Sequence, residues 1–475
     1  MPKEKEKEKL KDLVQIFSRA DKRRIFNFTS GHLVALPLSD EDIRSFFSTG
    51  LLPGCSYIDY ILIFINILIP YKNILISLRA ILRKVLNTKP LCVSDLTLIS
   101  LGESHIDADV YFGRLPKLLN VNYFKIVGGL KLKSRSYCFI ESEMTAFKLF
   151  LFFILSPFFS LYFLSKLCFY ACSIKKKNER YLFLILALKE IGNGTAFSQY
   201  ILKNALRRHI QLNKNKVLIY PMEGRNWEKA LNRTGDVLGT KRIGYLHCAL
   251  TPKHLSLLDS RLTSTSEWPN IIITPGKMSY LLFKKIHPNL KVREGFFLRG
   301  NPIPANLLNS EIKVIIALTG VENESSEILR KFAQIPKKLI STVAVQLNTN
   351  APSYSRLSSL AVALGFRLCD SRNAIRPEIC FFRSSSVAVD YLRRGSVPIY
   401  INNNDIVESN SFSLDDMCVI NTINLKDNFL NDFLTFFENS LALKHSLVPN
   451  FADYYLNQDF LEDDLCELIS EVLEI

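Results

Sequence analysis

The sequence predicts an α/β protein with two domains, each built around a parallel sheet. The chain has 475 residues, more than one hydrophobic core usually supports, and its 48% hydrophobic and 22% charged residues are typical of a folded protein. Short apolar runs alternate with helical patterns along most of the chain. This alternation indicates parallel strands covered by helices.

The first part of the chain is a charged segment, residues 1–20, followed by a predicted N-terminal domain at 21–298. The opening residues are too polar for a secretory signal. Strand-length apolar runs in this domain are each followed by polar or glycine-containing loops. They lie at Leu96–Leu101, Tyr123–Val127, Val217–Tyr220, Ile243–Leu246 and Ile271–Thr274.

Two apolar helices are predicted inside this domain, at 58–84 and 146–174. The run Leu149–Ser165 has no charged residue and is flanked by Lys148 and Lys166, and its length is at the lower limit for a membrane span. One interpretation is a pair of helices lying on the cytoplasmic leaflet of a membrane. The alternative is two buried helices of a large domain.

The second half predicts a doubly wound domain at 299–455 and a closing helix at 456–475, after a hinge at 296–304 that contains glycine and two prolines. Helical patterns occur at Ser325–Ala333 and Ser355–Leu364. Strands are predicted at Val314–Leu318, Val343–Leu347, Phe366–Cys369, Ile379–Phe382, Val397–Ile401 and Met417–Ile420.

The net charge of +15 predicts an anionic partner, which could be nucleic acid, an acidic membrane or a phosphorylated substrate. We expect no nucleic-acid partner, because the basic residues are dispersed and no recognised module is present. The ten cysteines form no C-x-x-C pair and no cluster of metal-site type, so we expect no metal and a reducing, cytoplasmic setting.

Three serines, Ser384, Ser385 and Ser386, follow the predicted strand Ile379–Phe382 and Arg383, and open a helix. Backbone N–H groups and hydroxyls at a helix N-terminus can hold a phosphate without a metal, so this turn predicts a nucleotide-activated substrate. The alternative is an ordinary N-cap, for which serine is a preferred residue.

A second loop follows the predicted strand Val217–Tyr220 and contains Glu223, Asn226, Trp227 and Glu228. A carboxylate at a strand end can act as a general base toward a hydroxyl group or bind sugar hydroxyls, so we assign Glu223 as the base and the other three as acceptor contacts. In the alternative, Glu228 complements the helix dipole and Trp227 packs inward.

The pattern Glu223-x-x-Asn-Trp-Glu-Lys-Ala-Leu231, followed by Arg242–His247 and Pro252, resembles bacterial surface-carbohydrate biosynthesis proteins described as sialyltransferase-like. Further segments share in the resemblance. They are Tyr111–Pro116, Ile273–Gly276, Arg299–Pro302 and the serine turn. These proteins are similar to GT-B glycosyltransferases, including transferases of Kdo and other nonulosonic acids, so the resemblance implies two Rossmann-like domains of GT-B type.

Residues in three further segments are also assigned roles. By the resemblance, His247 is a catalytic candidate that would contact donor or acceptor; the alternative is a hydrogen-bonded structural residue. Asn301 would contact the donor. From its own polar residues, the loop after Leu101 offers Asp109 as a further catalytic candidate and Glu103 and His105 as acceptor contacts, with a solvated polar loop as the alternative. The His-Pro pair that CMP-sugar enzymes often have in the second domain is absent from Gln346–Pro352.

Together these observations predict a metal-independent glycosyltransferase that needs no cofactor. It would move a sugar from a nucleotide sugar to a glycan or glycolipid acceptor of a capsule or lipopolysaccharide. The resemblance places it in the cytoplasm, peripheral on the inner face of the bacterial inner membrane. The alternatives are a nucleotide-sugar epimerase-like enzyme and a non-catalytic, membrane-associated scaffold.

Overall fold

The structure is a computed structural model that describes residues 69–86, 96–101, 111–113, 122–126, 138–177, 194–213, 217–224, 226–251, 254–258, 267–295, 311–318, 321–348, 353–369, 375–383, 387–403, 420–425 and 428–440, together with the single positions 65, 115, 180, 183–184, 188, 191–192, 410, 412, 455 and 467. The predicted charged segment 1–20, the hinge at 296–304 and, apart from residue 467, the closing helix at 456–475 lie outside these residues. The predicted domain boundaries therefore stay predictions.

The first sheet has seven parallel strands in the order β3-β2-β1-β4-β5-β6-β7 within the described part of the chain. In chain order these are β1 (Leu96–Leu101), β2 (Asn122–Ile126), β3 (Cys138–Phe139), β4 (Val217–Pro221), β5 (Lys241–Tyr245), β6 (Ile271–Thr274) and β7 (Val292–Glu294).

The second sheet has six parallel strands in the order β10-β9-β8-β11-β12-β13, again counting only described residues. They are β8 (Val314–Ala317), β9 (Val343–Gln346), β10 (Arg367–Cys369), β11 (Ile379–Phe382), β12 (Val397–Asn402) and β13 (Thr422–Asn424).

Both sheets have the doubly wound order in which the first strand of the sheet lies beside its fourth. This order is that of Rossmann-like domains, in which ligands bind outside the carboxyl ends of the strands where the order reverses. In the first sheet the reversal lies between β1 and β4, and in the second between β8 and β11. The predicted α/β fold class with two parallel sheets is confirmed.

Helices connect and cover the strands. The helices of the first sheet are α1 (Tyr71–Leu86), α2 (Ala146–Cys172), α3 (Thr195–Asn213), α4 (Asn226–Leu238), α5 (Leu255–Leu258) and α6 (Lys277–Ile286). Those of the second sheet are α7 (Glu322–Phe332), α8 (Lys337–Ile340), α9 (Tyr354–Ala363), α10 (Val387–Arg393) and α11 (Phe429–Glu438). The helix predicted at 146–174 corresponds to α2. Of the helix predicted at 58–84, α1 covers the part from Tyr71 onward, and residues 58–68, apart from residue 65, lie outside the described residues.

Each sheet is buried on both faces, because side chains along a strand alternate between its two sides. In β4, Leu218 packs with helices α1 to α4 on one side, while Val217 and Ile219 pack with Phe112 on the other. The second sheet is covered in the same way. Ala249 joins the buried cluster on one face of the second sheet, so the two halves share apolar contacts.

Three strands differ from the sequence prediction. β3 and β7 were not predicted, because two or three residues are too few to show a period of two. The last strand of the second sheet, β13, lies just beyond the predicted run Met417–Ile420, of which only Ile420 is described.

Candidate active site

The candidate site lies at the carboxyl ends of three neighbouring strands of the first sheet, β4, β5 and β6. The backbone N–H of Met222 donates to the carbonyl of Tyr245 at 2.7 Å, and that of Leu246 donates to the carbonyl of Ile273 at 2.9 Å. These bonds extend the ladder one residue beyond β4 and β5. The loops that leave these strands therefore begin side by side at the edge where a doubly wound sheet binds ligands.

Glu223 and His247, one from each loop, form the central pair of the site. His247 Nε2 lies 3.0 Å from Glu223 Oε1, with the histidine side chain 4% exposed and the glutamate side chain 15% exposed. Because a carboxylate accepts hydrogen bonds, the proton in this contact is on Nε2 of His247. Nδ1 is buried and has no hydrogen-bond partner among the described residues.

Tyr111 closes one side of this pair. Its ring meets the His247 ring edge to face, with the centroids 4.5 Å apart. Tyr111 lies in the segment that follows β1, so this contact brings the chain after β1 to the loops after β4 and β5. Three segments named in the sequence resemblance, those containing Tyr111, Glu223 and His247, thus meet at one place.

A second histidine, His254, belongs to the same electrostatic cluster. Burial lowers the pKa of His254, while the carbonyl of Thr251 and the carboxylate of Glu223 partly offset this, and His247 lowers it further. The Thr251 backbone N–H donates to Nδ1 of His254 at 2.9 Å. Nδ1 also lies 3.2 Å from the Thr251 carbonyl oxygen, to which the protonated ring can donate. The cluster pairs one carboxylate with two imidazoles, which are groups suited to proton transfer near neutral pH.

Glu228 shapes the loop that contains Glu223. Its buried carboxylate accepts the backbone N–H of Glu223 at 3.0 and 3.1 Å and that of Gly224 at 2.8 Å. Gly224 has a φ of 77°, a left-handed conformation that glycine adopts without strain. Glu228 lies in the first turn of α4, where an acidic side chain can return to the N–H groups before the helix.

Trp227 lies beneath the loop. It is buried, and its ring meets that of Tyr220 edge to face at 5.6 Å. Glu228 and Trp227 both occupy the places that the structural alternative predicts, under the loop and away from solvent. Their assignment as acceptor contacts is therefore not supported by the structure. Asn226 begins α4, and its role in acceptor binding stays a prediction.

A polar network supports the strand ends from below. Tyr220 Oη donates to Asn232 Oδ1 at 2.8 Å, and Asn232 Nδ2 donates to the carbonyl of Glu267 at 2.7 Å. Burial, and then the charge of Glu228, raise the pKa of Tyr220 well above its usual value. The Arg242 guanidinium donates to the carbonyl of Asn232 and to Asn270 Oδ1. These bonds fix β4 and β5 relative to α4.

The remaining predicted site residues lie outside the described residues. These are Glu103, His105, Asp109, Asn301, Ser384, Ser385 and Ser386. Their assignments stay predictions. Among the described residues, no three His, Cys, Asp or Glu side chains are grouped closely enough to hold a metal ion.

Arg383 immediately precedes the serine turn at the carboxyl end of β11. Its side chain is buried, forms an ion pair with Glu324 and donates to the carbonyl of Ile401 at 2.9 Å and to Tyr400 Oη at 3.3 Å. The guanidinium charge is thus balanced by a carboxylate of α7. Arg383 therefore links the end of β11 to α7 and β12.

No protein-family model and no curated protein sequence matches this chain. Among solved structures, a complex of S. aureus MnaA with UDP is similar with a TM-score of 0.44 and 10% identity, over 80% of this chain and 96% of that one. UDP-GlcNAc 2-epimerase from Methanocaldococcus jannaschii has a TM-score of 0.43 and 11% identity, over 79% of this chain and 99% of that one. Acinetobacter baumannii MurG has a TM-score of 0.37 and 12% identity, over 58% and 80%. At these values the similarities assign no family and no activity.

Two residues of the site were not assigned a role from the sequence. Tyr111 was quoted only as part of a motif, and its contact with His247 joins positions far apart in the chain. His254 follows His247 closely, and the chain has only 7 histidines. Two of the seven histidines lie close together after β5, and this was a signal that could have identified His254 as a site residue.

Proposed function

We propose that the protein is a glycosyltransferase that moves a sugar from a nucleotide-activated donor to an acceptor hydroxyl group. The observation that supports this proposal best is the Glu223–His247 pair, 3.0 Å apart at the carboxyl edge of a doubly wound sheet. General-base chemistry needs a carboxylate or imidazole that solvent and substrate can reach. Glu223 is the more exposed member of the pair, which favours it as the base.

In the proposed step, the acceptor oxygen forms a bond to the anomeric carbon of the sugar. The bond between that carbon and the phosphate oxygen breaks, and the nucleotide leaves with the electron pair. Glu223 takes the proton of the acceptor hydroxyl. His247 donates its Nε2–H to Glu223 and thereby orients the carboxylate. No metal takes part in this scheme, and the positive charge of the chain offsets the charge on the leaving nucleotide.

The finer parts of the proposal are based on the sequence resemblance alone. They are a nonulosonic acid such as Kdo or sialic acid as the sugar and a surface polysaccharide or lipopolysaccharide as the acceptor. Phosphate contacts from Ser384–Ser386 are proposed from the place of these serines at a predicted helix N-terminus. Because the His-Pro pair of CMP-sugar enzymes is absent, the donor experiment must test several nucleotides.

The donor site is tested by following the melting temperature of the protein with CMP, UMP, UDP, GDP and dTDP separately. A ligand at one hundred times its dissociation constant stabilises the folded protein by about 2.7 kcal/mol, so one nucleotide class should raise the melting temperature. If none does, the scaffold alternative is favoured and the transferase proposal fails.

The catalytic role is tested with Glu223→Gln and a matched control, Glu311→Gln, which makes the same change at an exposed position of the second half. Sugar transfer from the corresponding nucleotide sugar to a lipid-linked glycan extract is measured by mass spectrometry. Glu223→Gln should lower transfer about 10²- to 10⁴-fold with unchanged nucleotide stabilisation, while the control behaves as the native protein. Full activity of Glu223→Gln would refute the base assignment. Deuterium uptake from solvent into the donor sugar, without transfer, would indicate the epimerase instead.

A further inference from the structure

The helices α1 and α2 have a broad apolar surface that the described part of the protein does not cover. α2 is the one helix among the described residues that is long and apolar enough to cross a membrane by length and composition. On its outer side Phe147, Phe158 and Phe169 are 76%, 66% and 82% exposed. Other exposed apolar side chains of α2 are Phe150, Leu151, Ile154, Leu161 and Tyr162.

The same kind of surface continues on α1. Its exposed apolar side chains recur every three or four residues, so they form one stripe along the helix. They are Tyr71, Leu75, Leu78, Leu82 and Val85. α1 packs on α2, and Asn73 Nδ2 donates to Ser160 Oγ at 3.0 Å between them. Contiguous exposed apolar patches are rare on soluble monomers and indicate an interaction site. We call the exposed apolar side chains of α1 and α2 the apolar face.

The charge around the apolar face identifies the kind of partner. Neither α1 nor α2 contains an aspartate or glutamate. Lys148 is exposed near the start of α2, and Lys175, Lys176 and Lys177 are exposed just beyond its end. Lysines that frame an apolar surface complement anionic lipid headgroups, and each adds to binding near such a surface.

The inner side of α2 decides how the helix can meet a bilayer. The buried side chains of α2 are spread over almost its whole length. They include Leu149, Phe152, Phe163 and Leu167. Phe152 packs on Phe197 of α3. A helix with one side held against the protein from end to end cannot cross a bilayer without taking its neighbours with it.

The neighbouring helix α3 is too highly charged to enter the hydrocarbon region of a bilayer. It has Lys203 and Arg207 exposed on its surface, and charged side chains in the hydrocarbon region are costly. The outer side of α2, by contrast, can enter the headgroup region while the inner side stays in the protein. Helices with one apolar side in lipid and basic residues at the rim lie in the plane of the interface.

We propose that the apolar face docks onto an anionic bilayer surface, with α2 lying in the plane of the interface and not crossing it. In a bacterial cell, the cytoplasmic leaflet of the inner membrane supplies that surface. The inference does not depend on the proposed sugar transfer.

Binding is tested by flotation of the full-length protein with vesicles of phosphatidylcholine alone or with 30 mol% phosphatidylglycerol. The native protein should float with the anionic vesicles and lose binding as salt is raised. The triple variant Phe147→Ser/Phe158→Ser/Phe169→Ser should bind at least about 100-fold more weakly, because three rings no longer enter the interface. A control with three exposed valine or leucine changes elsewhere, Val237→Ser/Val362→Ser/Leu368→Ser, should bind as the native protein does.

The orientation of α2 is tested with Phe147→Trp and Phe158→Trp, whose fluorescence is quenched by lipids brominated at shallow or deep positions of the acyl chain. These residues are about 16 Å apart along a helix at 1.5 Å per residue. In a spanning helix, Phe158→Trp would reach the bilayer centre and be quenched most by the deep bromines. For a helix in the plane, both tryptophans should be quenched equally by the shallow bromines.

Three results would overturn the proposal. One is the absence of vesicle binding by the native protein, and another is unchanged binding by the triple phenylalanine variant. The third is deep quenching of Phe158→Trp alone. If the native protein is a dimer in solution, fails to bind vesicles and becomes a monomer in the triple variant, the apolar face is an interface between two copies.

Discussion

The Glu228 carboxylate is predicted to fix the conformation of the loop that contains Glu223, and its replacement is the most direct test of the geometry of the candidate site. Glu228 accepts the N–H groups of Glu223 and Gly224 with distances of 2.8 to 3.1 Å and is itself buried. Glu228→Ala removes the acceptor for both donors. Glu228→Gln gives a side chain of similar size that still has one acceptor oxygen but has no charge.

The expected loss follows from the two N–H groups. A buried donor left without a partner costs about 1–3 kcal/mol, so Glu228→Ala should lower the free energy of unfolding by about 2–6 kcal/mol. Glu228→Gln should cost less, about 1–2 kcal/mol, because its amide oxygen can still accept one or both N–H groups without a full charge.

Urea unfolding followed by tryptophan fluorescence measures this loss. The chain has two tryptophans, Trp227 and Trp268, and both are buried in the core cluster of the first sheet, so the signal reports on this half of the protein. Asp236→Asn is the control, since Asp236 is more than half exposed. A loss below about 1 kcal/mol for Glu228→Ala, or an equal loss for Asp236→Asn, would refute the role given to Glu228.

Three further changes test the surroundings of the site by the same unfolding measurement. Tyr220→Phe should cost about 1–2 kcal/mol, because the Asn232 oxygen loses its buried donor; no loss would contradict this bond. Arg242→Met should cost about 1–3 kcal/mol, because the carbonyl of Asn232 loses a buried charged donor, while Asp236→Ala should cost at most about 1 kcal/mol; equal losses would contradict the network. The pKa of His254 is lower in the folded protein than its ordinary value of 6.5. The unfolded chain then binds a proton more readily, so stability should fall as the pH drops below about 6.5. His254→Gln should flatten this dependence below about pH 6.5, and an unchanged slope would exclude His254 as its cause.

Much of the fold could be predicted from sequence because the strands are fully buried. β1, β6 and β11 lie where the apolar runs are, and most other strands end within a residue or two of their predictions. A strand buried on both faces is apolar at every position, and this makes a short, clearly bounded run. The two- and three-residue strands β3 and β7 could not be predicted. They pair with the edge strands of the sheet in the folded protein, and their own sequences are too short to show a strand pattern.

The site was predictable only in part. Glu223 and His247 were chosen because polar residues after buried strands in a doubly wound sheet face the ligand edge. The structure brings the two side chains together, and their catalytic roles stay predictions. Trp227 and Glu228 were assigned to the acceptor on the same grounds, yet both are buried. Position next to a strand end does not fix which side of the following helix a residue occupies, and here the first turn of α4 directs both inward.

The sequence by itself determined that this is a parallel α/β protein with an acid–base candidate in the loop after β4. Local patterns of apolar residues determine strands and helices, and each such pattern lies within a short stretch of neighbouring positions in the chain. Only the tertiary structure decided that His247 and Tyr111 meet next to Glu223, because contacts between distant segments depend on strand order. It also decided which side of α2 is buried. That helix is apolar all round, so its sequence has no periodic signal to distinguish the inner side from the outer one.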